Sequence, residues 1–162
     1  MKQSSVPAFS AWVTKGNRLA EQDQHEKAIA CFERALELDP QNMAVLFSIG
    51  NSLDSLGREE EAVLYYDQAL ELDPDYADAW CNKGYSLYSL ERYIEAFECF
   101  TQALVIDPLN AEVWYNKAVT EDDLGQSDAA LRSYRQVLAY ATVQNEEQIE
   151  WARQRIQELE AK

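Results

Sequence analysis

Residues 69–74 read Ala69-Leu70-Glu71-Leu72-Asp73-Pro74, and this hexapeptide decides the fold because it comes back. It stands earlier as Ala35-Leu36-Glu37-Leu38-Asp39-Pro40 and later as Ala103-Leu104-Val105-Ile106-Asp107-Pro108, each copy 34 residues from the last. Four more registers keep that step. Gly16, Gly50 and Gly84 lead to Ala118; Trp12 and Leu46 lead to Trp80 and Trp114; Ala28, Ala62, Ala96 and Ala130 form the next; Phe32, Tyr66, Phe100 and Tyr134 the last. A fixed period of this length marks stacked supersecondary units, each of which buries its apolar face only against a neighbour.

Inside a unit the apolar spacing is helical. In the third, Trp80, Gly84 and Leu87 share one face, and Ala96, Phe100, Ala103 and Leu104 share a second. Leu90-Glu91-Arg92-Tyr93 lies between them as a turn, and the second and fourth units carry Gly57 and Gly125 there, where a helix end takes a left-handed residue. Asp-Pro closes each of the first three units, because proline cannot continue a helix and draws its predecessor away from helical angles. Asn42 and Asn110 follow as N-caps. The spacing predicts first helices over 10–22, 44–56, 78–90 and 112–124, and second helices over 26–38, 60–72, 94–106 and 128–140. Residues 1–8 read as a flexible N-terminus without a signal peptide's apolar run. Four units follow, at about 9–42, 43–76, 77–110 and 111–144. A last helix over 145–162 departs from the repeat: Ile149, Ala152, Ile156 and Leu159 line one face, and the other is charged apart from Trp151, as a cap over an exposed apolar end should be.

Trp80-Cys81-Asn82-Lys83-Gly84, Leu87, Ala96, Phe100, Ala103 and Pro108 together resemble the tetratricopeptide repeat family. The resemblance spans about residues 9–142. It implies an all-α solenoid of antiparallel helix pairs wound into a right-handed superhelix, with a concave groove lined mainly by first helices that binds a peptide from another protein. The fourth repeat departs from the pattern: Glu121 stands where Leu19, Leu53 and Leu87 stand, Val137 replaces the alanine and Thr142 the proline. Its helix–helix contact is expected to differ.

By phase, the groove carries Val13 and Asn17, Phe47 and Asn51, Asp78, Asn82 and Tyr85, Tyr88 one turn on, and Glu112, Tyr115, Asn116 and Val119. Amides pair with peptide backbone, and tyrosines supply contact area at low entropic cost. The glycine register is expected to face the Ala28, Ala62, Ala96 and Ala130 register. Asp54, Asp78, Glu112, Asp122 and Asp123 fall on or near the groove. Their mutual repulsion suggests a partner with basic residues among apolar anchors; the plainer reading is that acids keep the array in solution. Members of the family that hold chaperone tails clamp two carboxylates with Lys, Asn, Asn, Lys and Arg. Here Asn17 matches, but Val13, Ser48, Asp78 and Asn82 stand in the other places, so an acidic tail is disfavoured.

The 162 residues carry 29 Asp and Glu against 14 Lys and Arg, a formal charge of −15. Such a field repels phosphate backbones and anionic lipid, so neither nucleic acid nor membrane is an expected partner. Cys31, Cys81 and Cys99 are odd in number and have no CxxC spacing, which points to a reducing cytoplasm. The single histidine, His25, falls in a turn, and no phosphate loop or HExxH is present, so no enzyme, cofactor or metal is expected. Asp73, Asp75 and Asp78 lack the glycine and terminal glutamate of a calcium loop. The leading expectation is a non-catalytic protein-interaction module. The alternatives are a small acidic chaperone of the secretion type and a self-assembling scaffold, with weak homo-oligomers through the terminal helix and Trp151.

Overall fold

A computed structural model describes residues 6–142 and 145–161; most of the flexible segment expected at the N-terminus lies outside them. The described residues form helices alone: α1 (Val6–Glu21), α2 (His25–Leu36), α3 (Met43–Ser55), α4 (Glu59–Leu72), α5 (Ala77–Ser89), α6 (Tyr93–Ile106), α7 (Ala111–Asp123), α8 (Ser127–Tyr140) and α9 (Glu146–Glu160). The predicted spans agree to within about two residues except at the start of α1, which lies four residues earlier. Val6–Ala8 are therefore helical, a correction to the flexible reading of 1–8. Pro7 falls in the first turn, where its missing N–H leaves no helical bond unmade.

Contacts divide the chain after Asp75 into two compact units. In the first, α1 packs on α2, α2 on α3, and α3 on α4; in the second, α5 packs on α6, α6 on α7, α7 on α8, and α8 on α9. The first core is built from Ala28, Phe32, Val45, Ile49, Leu53 and Tyr66. At the end of the second, Ala118, Ala130, Tyr134 and Val137 close over Ala152 of α9, with Ile156 and Leu159 beside them, so α9 covers the apolar end of the fourth repeat.

The four short turns share one geometry. Asp23, Gly57, Glu91 and Gly125, again 34 residues apart, all have φ between 59° and 73°. Around Gly57, its N–H reaches the Asp54 carbonyl at 2.9 Å and the Arg58 N–H reaches the Leu53 carbonyl at 3.0 Å. This is the paired closure that ends a helix with a left-handed residue. Glycine takes this conformation without cost, whereas a residue with a Cβ is penalised by roughly 1–2 kcal/mol. Glu91→Gly is therefore expected to stabilise the chain by about 0.5–1 kcal/mol in urea unfolding, since part of the gain is offset by unfolded-state entropy. A loss of stability would mean that the Glu91 side chain does something the turn needs. Asn42 and Asn110 cap as predicted, their Oδ1 atoms accepting from the Val45 and Val113 N–H groups at 3.2 Å.

The nearest side-chain neighbours of the glycine register are aromatic rings. A Cβ built on Gly16, Gly50 or Gly84 would lie 2.5–2.7 Å from a ring carbon of Phe32, Tyr66 or Phe100. Each of those rings is at least 99% buried. The glycines are seats for aromatic rings, and Ala28, Ala62 and Ala96, one turn before those rings, are fully buried.

Candidate functional site

In the second unit, Tyr85 and Tyr88 of α5 and Tyr115, Asn116 and Val119 of α7 converge on one pocket of about 210 Å³, with Phe100 of α6 at its base. All five of the α5 and α7 residues are ones the sequence phase places in the groove. Tyr85 is 56% exposed, a large ring with little cover. Tyr88 is fixed: its hydroxyl donates to Asp123 Oδ2 at 2.5 Å, and its ring lies 5.3 Å from that of Tyr93. Burial, then the Asp123 carboxylate, push the Tyr88 hydroxyl well above its ordinary titration range. Burial raises Tyr115 as well. Both phenols stay protonated donors at physiological pH.

Tyr88 and Val119 also line an adjoining cleft of about 360 Å³, completed by Asp122 and Asp123 of α7 and by Trp151, Arg155 and Glu158 of α9. Arg155 grips Asp122 through both its Nε and its Nη2, the latter at 2.9 Å, and donates through Nη1 to Glu158 Oε2 at 2.5 Å. These carboxylates hold the guanidinium even more firmly protonated than usual. The Trp151 ring lies 5.6 Å from Tyr115 and 5.4 Å from Tyr134. The terminal helix thus contributes a wall to the site. Phase arguments from the repeats miss Trp151 and Arg155, since α9 has no counterpart 34 residues away. The available signal is that Trp151 stands off the apolar stripe of its own helix.

The first unit carries a more polar pocket of about 270 Å³, lined among others by Asn17, His25, Ser48 and Asn51. Asn51 is engaged: the Tyr66 hydroxyl donates to Asp54 Oδ2 at 2.7 Å and has Asn51 Oδ1 2.8 Å away. The pairing of a tyrosine with an aspartate twelve residues before it returns at Tyr134 and Asp122, 3.5 Å apart. Asp54, Asp122 and Asp123 therefore have internal donors, which corrects the expectation of bare carboxylates repelling one another.

The other predicted groove residues are scattered. Val13 and Phe47 are half-buried against the core of the first unit, Phe47 with its ring 5.8 Å from Tyr66. Asn82 is half-buried, and its backbone carbonyl accepts from the Ser86 hydroxyl at 3.0 Å. Asp78 and Glu112 are exposed and flank Cys81. Burial, helped by Glu112 and Asp78, pushes the Cys81 thiol up to about 12, and the Asn116 side chain only partly offsets this. At pH 8 Cys81 should react with iodoacetamide at least a hundredfold more slowly than a free thiol, and its labelling rate should rise steeply toward pH 12. Labelling at the rate of free cysteine would mean the α5–α7 contact opens readily. Because the folded thiol titrates above the unfolded one, this group's contribution is intact below the ordinary thiol range and is lost as pH climbs toward 12.

The three cysteines form no disulfide with one another. Among the described residues, no group of three or more His, Cys, Asp or Glu side chains is placed to hold a metal ion, and no helix is long and apolar enough to cross a membrane.

Family models described as tetratricopeptide repeat match residues 13–77, 77–110 and 99–132. No curated protein matches the chain in sequence. Among solved structures, a MamA protein is 18% identical with a TM-score of 0.81, over 94% of this chain and 86% of that one. MamA 41-end from Desulfovibrio magneticus RS-1 is 16% identical with a TM-score of 0.81, over 95% and 94%. The first repeat domain of Spaghetti (RPAP3), bound to the HSP90 peptide SRMEEVD, is 21% identical with a TM-score of 0.71, over 74% of this chain and 94% of that one. Periodic registers, ring-seating glycines, shared turn geometry and three successive family matches agree: the chain belongs to the tetratricopeptide repeat family.

Proposed function

We propose that the chain is a non-catalytic interaction module of a reducing cytoplasm that docks a peptide or protein segment in the groove of its second unit. The observation that carries this reading is the convergence of Tyr85, Tyr88, Tyr115, Asn116 and Val119 on one open apolar pocket. Half-exposed rings around a pocket are the usual anchor points of a protein interface, and an amide among them pairs with peptide backbone. Within the second unit, Asp78, Asn82 and Glu112 are the further polar candidates for this surface, while Asn17 and Asn51, with Val13 and Phe47, are candidates of the first unit taken by itself. The favoured ligand carries basic residues among apolar anchors, in keeping with the charge of −15. An acidic tail such as the HSP90 peptide held by the RPAP3 domain is disfavoured, because Val13, Ser48, Asp78 and Asn82 supply no cation.

A display library of random peptides selected on the immobilised full chain tests the reading. Tyr85→Ala and Val119→Glu should each weaken the selected peptides by about tenfold or more, the loss expected of an anchor residue. Tyr85 is exposed, so its replacement leaves the fold intact. Unchanged binding by both variants would remove this pocket as the site.

A further inference from the structure

The cleft beside the apolar pocket has a composition unlike a solvated acidic surface. Tyr88 and Trp151 bring two aromatic side chains to it, and Asp122, Asp123 and Glu158 bring three carboxylates against the one guanidinium of Arg155. The local charge is two negative. Arg155 is already committed, with two of its nitrogens on Asp122 and the third on Glu158. It is thus poorly placed to receive an incoming anion. Asp123 is exposed and has the Tyr88 hydroxyl as its donor, and Glu158 is exposed at the far side on α9. Trp151 is 40% exposed even though its ring packs near those of Tyr115 and Tyr134.

We propose that this cleft, built jointly by α7 and the terminal helix α9, seats a lysine or arginine side chain of the docked segment next to the apolar residue held in the tyrosine pocket. The inference rests on the docking reading above and adds the place and chemistry of a second anchor. A cation here lies between ring systems that attract positive charge and two carboxylates that face the solvent. The two subsites share Tyr88 and Val119 as a common wall, so one extended segment reaches both. The terminal helix is accordingly a specificity element as well as a cover for the last repeat.

The test uses the peptides selected on the full chain and, for each, a copy in which Lys and Arg are replaced by norleucine. Affinities are measured by calorimetry at low and high salt for the wild type, for Asp123→Asn/Glu158→Gln and for Trp151→Leu. The selected peptides should be rich in Lys or Arg. The carboxamide variant should bind them roughly fivefold more weakly at low salt, with the difference shrinking at high salt, while norleucine copies bind both proteins alike. Trp151→Leu should weaken the basic peptides more than their norleucine copies. Basic peptides that bind the carboxamide variant as well as the wild type, yet are lost with Val119→Glu, would overturn this inference and leave the groove reading standing. Binding indifferent to every variant would overturn both.

Discussion

Replacing Lys117 with methionine should destabilise the chain by about 3–5 kcal/mol, the penalty for stranding a buried charge. Lys117 Nζ pairs with Glu121 Oε1 and lies 3.3 Å from the Ser133 hydroxyl, with its ammonium 4.9 Å from the Phe97 ring centre and 5.6 Å from that of Trp114. The side chains of Lys117 and Glu121 are only 13% and 3% exposed. Glu121 Oε2 is buried without a protein donor, so without Lys117 the carboxylate has little left to stabilise it. The double variant Lys117→Met/Glu121→Leu restores the leucine present at 19, 53 and 87. It should return to within about 1 kcal/mol of the wild type or exceed it, because a well-packed apolar pair commonly matches a buried ion pair. Urea midpoints of the two singles and the double decide it. A single Lys117→Met variant as stable as the wild type would mean the pair is solvated.

Gly84→Val should have the largest combined effect on stability and binding. A Cβ at residue 84 would meet Phe100 Cε1 at 2.7 Å, and Phe100 is 99% buried. Overpacking of this kind costs about 1–3 kcal/mol. Phe100 is also the base of the tyrosine pocket, so a ring driven off its seat fills the space an anchor would take. The expected result is a lower urea midpoint together with loss of peptide binding. Gly16→Val is the control: it presses on Phe32 in the first unit, and should lower stability while leaving binding at the second unit's pocket in place. Equal loss of binding in both variants would show that only stability was being read.

The repeat itself was legible because it rests on residues with strict backbone demands. Pro40, Pro74 and Pro108 fix unit ends, and Gly57 and Gly125 mark left-handed turns that Asp23 and Glu91 copy at the same phase. The helix spans followed from phase, the family from the residues that hold it, and five of the residues that phase assigned to the groove line one pocket. Two things did not. Ala96 and Phe100 lie four apart on one helix face, so periodicity could not say that the Phe100 ring is what lies nearest a side chain added at Gly84. The grip of Arg155 on Asp122 joins residues 33 apart through an element that occurs once, and no internal repetition could show it. The same holds for the fourth repeat: Glu121 marked an altered contact, but that Lys117 answers it one turn earlier became clear only when the two were seen buried together.

Backbone amide shifts of the full chain, recorded while a display-selected peptide is added, test the docking claim most directly. The account predicts that the largest changes fall on Tyr85, Tyr88, Tyr115, Asn116 and Val119 and extend to Trp151 and Arg155 of α9. Changes confined to Ile94, Val105 and Leu109, apolar residues exposed on and just beyond α6, would place the partner elsewhere and contradict it.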